Sequence, residues 1–281
     1  MFTPHAPTTL KPQKMNSFFM SNYFPDISLL VTHYNRSASL ENLLQSFIKV
    51  GCSFGAIVVS DDGSNDVHTN KLRELQATYN FNLVPAIKNG GLGRNLNKGD
   101  DAVTTPYTLY VQEDFEATEK FPQALQDAFD MMSEDRSLDM AKFYAYYSHP
   151  YLTDFKKGFS KITIPALATD YTKIYAYTDH PHLRRSDFFE KFGRYPEGLK
   201  GDVTEYKMCI SFLQNKGQAI FYNDFTGLFI QKNSEAEPST MSRTAWKQKN
   251  SFFISLLRTF YRQVKYNFDI AFASPLLKLK K

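Results

Sequence analysis

The sequence predicts an α/β fold, with a mostly parallel central sheet flanked by helices and an amphipathic helix at the C-terminal end. Three observations predict it. From Asp26 onward, short apolar runs alternate with stretches of helical period. Polar clusters follow the apolar runs directly, where α/β sheets bind their ligands. The chain has 281 residues, 42% hydrophobic and 22% charged, which suffices for a full core.

Residues 27–33 (Ile-Ser-Leu-Leu-Val-Thr-His) form the first predicted strand, apolar until its polar end. Residues 37–50 carry Leu40, Leu43, Leu44, Phe47 and Ile48 on one helical face, and Gly51 stops them. Strand 56–60, helix 67–79, strand 81–87, helix 92–103 and strand 107–111 continue the alternation. Such an order requires right-handed crossovers between parallel strands. The second half is less regular: a helix at 121–132, a strand at 140–147, helices at 188–192 and 203–213, and a short strand at 219–222. The Gly/Pro-punctuated stretch 148–169 reads as a lid or a hairpin, 231–240 as a polar linker, and 251–268 as a final helix.

The formal charge of +4 is unevenly placed. Residues 243–281 hold nine basic residues and one acid, a charge of +8, which leaves −4 for the rest. An acidic body with a basic tail argues against a chain-wide nucleic-acid surface. Two cysteines, Cys52 and Cys209, exclude a disulfide scaffold and offer no metal spacing, and their apolar neighbours suggest buried free thiols. No apolar run approaches the ~18–20 residues of a membrane span. Residues 1–25 read as a flexible leader without a signal-peptide pattern, so a cytoplasmic location is expected.

Four clusters carry chemistry. Thr32-His-Tyr-Asn-Arg36 offers Tyr34 for stacking on a base and Arg36 for a phosphate, or is an ordinary polar turn entering a helix. Ser60-Asp-Asp-Gly-Ser-Asn-Asp66 offers Asp61 and Asp62 to a base or ribose across a turn that Gly63 permits, and caps the next helix as well. In Asn89-Gly-Gly-Leu-Gly-Arg-Asn-Leu-Asn-Lys-Gly99, Arg94 and Lys98 share a helix face and suit a diphosphate, without the G-x-G-x-x-G or G-K-[ST] fingerprints. Gln112-Glu-Asp-Phe-Glu116 crowds three acids at a strand end, either to hold Mg²⁺ or Mn²⁺ through oxygen or as a solvated turn.

In order and spacing these clusters resemble the family 2 glycosyltransferases of GT-A (Rossmann-like) fold, over residues 26–232. The resemblance implies a nucleotide-sugar half at 26–118 and an acceptor half at 119–232, with 233–281 as linker and basic amphipathic helix. It implies that Thr32, Tyr34 and Asp61 hold the uracil or ribose, with Asp62 in the adjoining turn and Asn35, Arg36, Arg94, Lys98 and Glu113 as further nucleotide contacts. The acidic cluster matches the family's D-x-D region, so Asp114 is the implied ligand of a divalent cation, Mn²⁺ or Mg²⁺, with Glu116 in support. Gln112 stands where many members have an acid, and Leu96 where many have arginine. The segment 179–193 resembles the acceptor side, with His180 and His182 as contacts. The family's E-D pair falls on Gly201-Asp202, so Asp202 is the implied base and Glu205 the fallback.

The implied reaction is one inverting transfer from a nucleotide-diphosphate sugar, UDP by expectation, to a glycan or lipid-linked hydroxyl in cell-surface polysaccharide or glycolipid synthesis. On the tail, Phe253, Leu257, Phe260, Val264 and Phe268 make one stripe, with Arg258, Arg262 and Lys265 beside it. That helix either lies on an anionic membrane, placing the enzyme peripherally on the inner face, or packs on the domain with a solvated basic flank. Two rival classes remain: a catalytically inactive nucleotide-sugar-binding protein and a sugar nucleotidyltransferase.

Overall fold

The computed structural model describes residues 22–232 and 252–278, with the side chains of 252–255 left aside. Its elements run in the order β1 (Asn22–His33), α1 (Ser37–Lys49), β2 (Cys52–Asp61), α2 (Asp66–Tyr79), β3 (Asn82–Val84), α3 (Leu92–Asp101), β4 (Tyr107–Gln112) and β5 (Phe115–Ala117). The second half continues with α4 (Phe121–Glu134), β6 (Met140–Lys142), β7 (Leu152–Asp154), β8 (Phe159–Ile162), β9 (His182–Arg185) and α5 (Phe188–Phe192). It closes with α6 (Gly201–Gln214), β10 (Ala219–Tyr222), β11 (Phe229–Gln231) and α7 (Phe252–Phe272).

Nine strands form the main sheet in the order β3-β2-β1-β4-β9-β6-β10-β8-β7, and β11 pairs with β5 in a small second sheet. β3, β2, β1 and β4 are mutually parallel, as the strand–helix alternation requires. β9 runs antiparallel between β4 and β6, and β8 antiparallel between β10 and β7, so only these two strands of the described sheet oppose the common direction. The stretch 148–169 resolves as a hairpin, β7 on β8, at the sheet's edge.

β1 is apolar at successive positions because both of its faces are covered. Ile27, Leu29 and Val31 enter one core with the apolar faces of α1, α2 and α4, while Leu30 enters the other with Leu96 of α3 and Met208 and Phe212 of α6. Gly99 lets α3 approach closely, since a Cβ there would sit 2.7 Å from Leu30 Cδ1. β1 opens at Asn22, ahead of Asp26, through pairing of Asn22–Phe24 with Cys52–Phe54. The leader expected at 1–25 otherwise lies outside the described residues, as does most of the linker.

α7 packs on the second core through Tyr266, Ile270 and Ala273. The apolar stripe faces the opposite way: Leu257, Phe260, Val264 and Phe268 are exposed, Phe260 at 68%. The basic residues are the half-buried ones. Arg262 donates to Tyr171 Oη at 3.1 Å, and Lys265 to Tyr206 Oη at 3.1 Å beside its ion pair with Asp269. The solvated basic flank expected of a packed helix is therefore reversed, because tyrosines on the domain offer hydroxyls and rings that a cation can use. Phe253 belongs to the side chains left aside.

Candidate active site

The site is built at the carboxyl ends of β1, β2 and β4. Parallel register sets His33 opposite Asp61, and His33 Nδ1 lies 2.8 Å from Asp61 Oδ1. His33 Nε2 accepts the Arg36 backbone N–H at 3.2 Å, which assigns the ring proton to Nδ1 and makes Asp61 the acceptor. Asp61 also accepts from Ser64 Oγ at 2.5 Å and from the N–H groups of Gly63 and Ser64. Burial pushes its carboxyl up, but the bonds from His33 and Ser64 outweigh it and hold Asp61 below its ordinary value. Thr32 is turned inward, its Oγ1 3.0 Å from Tyr110 Oη. Tyr34 and Asn35 stay half-buried at the rim. Asn35 takes a left-handed backbone and ties the first loop to the second: its N–H donates to Ser64 Oγ, and its Oδ1 accepts from Asn65 N–H. Sequence reasoning does not single out His33, although its place at the strand end beside Asp61 in a parallel register was a usable signal.

Asp62 fixes the third loop. Its two oxygens accept the N–H groups of Gly90 and Gly91, each at 2.9 Å. Burial raises its carboxyl, against these bonds and the charge of Lys98. Gly63, at φ +75°, makes the turn, and a Cβ there would collide with the Lys88 backbone at 2.6 Å. Lys98 donates to the carbonyls of Asp61 and Val84, and burial lowers its amine to about 8, against Asp61 and Asp62. Arg94 is exposed and lies across Gly90. The structure thus brings Asp61, Asp62 and Lys98 into one scaffold and leaves Arg94 at the surface.

Between β4 and β5 lies the acidic turn. The Arg36 guanidinium, in a residue only 4% exposed, sits 3.3 Å from Glu113 Oε1 and 3.6 Å from Asp114 Oδ2. Burial pushes Glu113 up, Arg36 opposes it and Asp114 adds to it. Asp114 Oδ2 accepts from Gln231 Nε2 at 2.9 Å, while its buried Oδ1 has no hydrogen-bond partner among the described residues. Glu116 is separately engaged, paired with Lys232 at 2.8 Å. Among the described residues no three His, Cys, Asp or Glu side chains gather around one ion. An orphaned carboxylate oxygen next to a second acid still fits a hard divalent cation that takes one or two protein oxygens and completes its shell from a bound phosphate.

At 178–182, the segment expected to face the acceptor, Thr178 Oγ1, Asp179 Oδ2, His180 Nδ1 and His182 Nε2 are buried and lack hydrogen-bond partners among the described residues. His180 is half-buried and edge-on to Tyr144 and Tyr146. His182 is sealed in β9, with Nδ1 donating to His180 O. Burial lowers both rings to about 3, with Lys142 adding to it at His180 and Arg184 at His182, so both are neutral. Asp179 accepts from Tyr177 and Tyr195 hydroxyls at 2.9 and 2.8 Å.

α6 meets this edge through α3. Asn97 donates to Tyr195 O at 2.9 Å and to Glu197 Oε1 at 3.0 Å and accepts Tyr195 N–H at 3.1 Å, and Gly201 packs on Leu92. α6 starts at Gly201, ahead of the expected 203, so Asp202 is exposed inside the first turn and not its cap; its Oδ1 accepts Val203 N–H at 2.9 Å. Glu205, one turn on, accepts Asp179 N–H at 3.0 Å. Burial, then the charge of Asp179, pushes its carboxyl up to about 7. Asp179, buried Lys142 and His33 are members of this assembly to which the sequence reading gives no role, because Glu205, Tyr175 and Asp61, which engage them, lie 26, 33 and 28 residues away.

The fold is that of a GT-A protein, with the candidate ligand face at the carboxyl ends of β1, β2 and β4. The sequence profile of glycosyl transferase family 2 matches residues 28–193, and the chain belongs to that family. Solved structures agree on the fold. S. aureus TarS 1-349, in complex with UDP-GlcNAc, superposes with a TM-score of 0.57 at 19% identity, covering 74% of this chain and 59% of TarS 1-349. The mannosyltransferase PcManGT from Pyrobaculum calidifontis, in complex with GDP-Man and Mn²⁺, gives 0.52 at 12% identity, covering 90% of this chain and 67% of that one. No curated protein matches the chain.

Proposed function

We propose that the protein transfers a sugar, with inversion, from a nucleotide-diphosphate sugar of the UDP class to an acceptor hydroxyl in cell-surface polysaccharide or glycolipid synthesis. The observation that carries this reading is that residues 179–180 touch both groups: His180 is edge-on to Phe115, next to Asp114 with its unpartnered Oδ1, and the Asp179 N–H donates to Glu205 in the α6 turn that also bears Asp202. Tyr34 and Asn35 at the rim face the base, over the rigid floor made by Asp61, Asp62 and Lys98. Asp114, with Glu113 beside it, would hold the cation. When bound, a divalent cation neutralises the charge that gathers on the departing diphosphate.

Asp202 accepts the acceptor's hydroxyl proton as that oxygen bonds to the anomeric carbon. The bond from that carbon to the diphosphate breaks, and the electron pair leaves with the nucleoside diphosphate. Asp202 is preferred to Glu205 because it is exposed at the mouth, whereas Glu205 is held on Asp179 N–H. His180, half-buried between tyrosines, lies on the acceptor's path.

Replacing Asp114 with Asn, or adding EDTA, is expected to lower transfer by about 10²–10³. Wild-type transfer that ignores EDTA would exclude the Asp114 assignment.

The exposed α7 stripe favours a peripheral membrane site for the enzyme. No described helix is long and apolar enough to cross a membrane. Full-length protein is expected to co-sediment with liposomes containing anionic lipid, and Phe260→Asp/Phe268→Asp to remain in the supernatant. Equal sedimentation of the two would remove the membrane reading.

A further inference from the structure

A cleft of about 1020 Å³ runs between α6 and α7, large enough for a saccharide of more than one unit. The two helices run alongside each other in the same direction: Tyr206 meets Asp269, and Gln214 meets Ala273. Their N-terminal ends therefore open at the same edge, and the cleft wall there includes Asp202 and Glu205. Further down, the wall is made of tyrosine rings, among them Tyr206 and Tyr266 with centroids 5.2 Å apart. Such rings present an apolar face to a sugar and a hydroxyl to its polar groups.

The cations in this cleft are not all neutralised. Lys265 is paired with Asp269. Arg262 has a neutral partner, Tyr171 Oη, and its guanidinium lies 5.3 Å from that ring. Arg258, one turn earlier on the same helix face, lines the cleft and forms no hydrogen bond or ion pair with a described residue. Two half-buried guanidinium groups without an acidic partner, one turn apart, make a fork for a planar carboxylate or a phosphate.

We propose that this cleft is the acceptor subsite and that it takes an acidic saccharide, whose phosphate or carboxylate is held by Arg258 and Arg262 while the sugar lies on the tyrosine wall. This rests on the transfer reading above: the acceptor's free hydroxyl then reaches Asp202 from the α7 side, opposite the donor loops.

The test is equilibrium binding to the full chain, by saturation-transfer NMR and titration, with UDP present to fill the donor site. The probes are α-D-glucose 1-phosphate, D-glucuronate and the neutral methyl α-D-glucoside. Both acidic probes are expected to bind more tightly than the glucoside, and Arg258→Gln/Arg262→Gln to weaken them by about tenfold or more. Binding of one acidic probe alone identifies whether the group is a phosphate or a carboxylate. Equal affinity for the neutral probe, no binding of either acid at millimolar concentration, or unchanged affinity in the variant would overturn the proposal. Arg258→Gln alone, which removes no contact to a described residue, keeps the test valid if the double variant fails to fold. UDP binding is read in the same samples, so loss of the donor reading is distinguishable from loss of the acidic-acceptor reading.

Discussion

Asp202→Asn is expected to lower the transfer rate by about 10²–10⁴ while leaving nucleotide-sugar binding unchanged. The amide keeps the size of the side chain and its oxygen can still accept Val203 N–H, so the first turn of α6 is kept and only the proton acceptor is lost. Glu205→Gln separates the two carboxylates. Burial, then the charge of Asp179, pushes the Glu205 carboxyl up to about 7, so transfer in the wild type is expected to rise as pH increases through about 7, where Glu205 gains a negative charge beside Asp202 and strengthens it as a proton acceptor. With Asp202 as base, Glu205→Gln flattens that rise and costs only a modest part of the rate. If Glu205→Gln abolishes transfer and Asp202→Asn does not, the base is Glu205.

The largest stability effect is expected at Asp100. Arg184 lies in β9 with no exposed surface, its Nη2 2.9 Å from Asp100 Oδ1 on α3, and its guanidinium is otherwise flanked by the rings of Phe188 and Phe189. Asp100→Ala leaves a buried cation without its counter-charge, a loss of about 3–5 kcal/mol. In a domain of this size that lowers Tm by about 6–20 °C in a thermal scan. The pair ties α3 to β9, so the loss is expected to reach catalysis too. Asp100→Ala/Arg184→Met, which removes both charges, is expected to recover much of the Tm. A single variant as stable as the wild type would show that the pair does not hold α3 to β9.

These two positions also show what the sequence made legible. Asp202 stands out as a candidate in the sequence because its signal is local: an acid at a helix start, in the order of clusters that the family shares. The donor-half strands were legible because β1 and β4 are covered on both faces and read as unbroken apolar runs. β9 was not legible, since His-Leu-Arg-Arg carries no strand pattern until Asp100, 84 residues earlier, is known to neutralise Arg184. β5 and β11 are three residues each and exist through their pairing. For α7 the period gave the stripe but not its direction. The helix packs by Tyr266, Ile270 and hydrogen-bonded cations, leaving the more apolar face outside. Periodicity reports that a helix has two faces; contacts decide which is buried.

The carboxyl ends of β1, β2 and β4 are expected to bind and activate a nucleotide-diphosphate sugar. The most direct measurement is release of nucleoside diphosphate from a panel of UDP-, GDP- and other nucleotide-sugars by the full-length protein, with Mn²⁺ or Mg²⁺ and with EDTA. The expected result is cation-dependent release from a UDP-sugar, lost in Asp114→Asn. The contradicting result is no release from any sugar nucleotide, or release that persists unchanged in both EDTA and the variant.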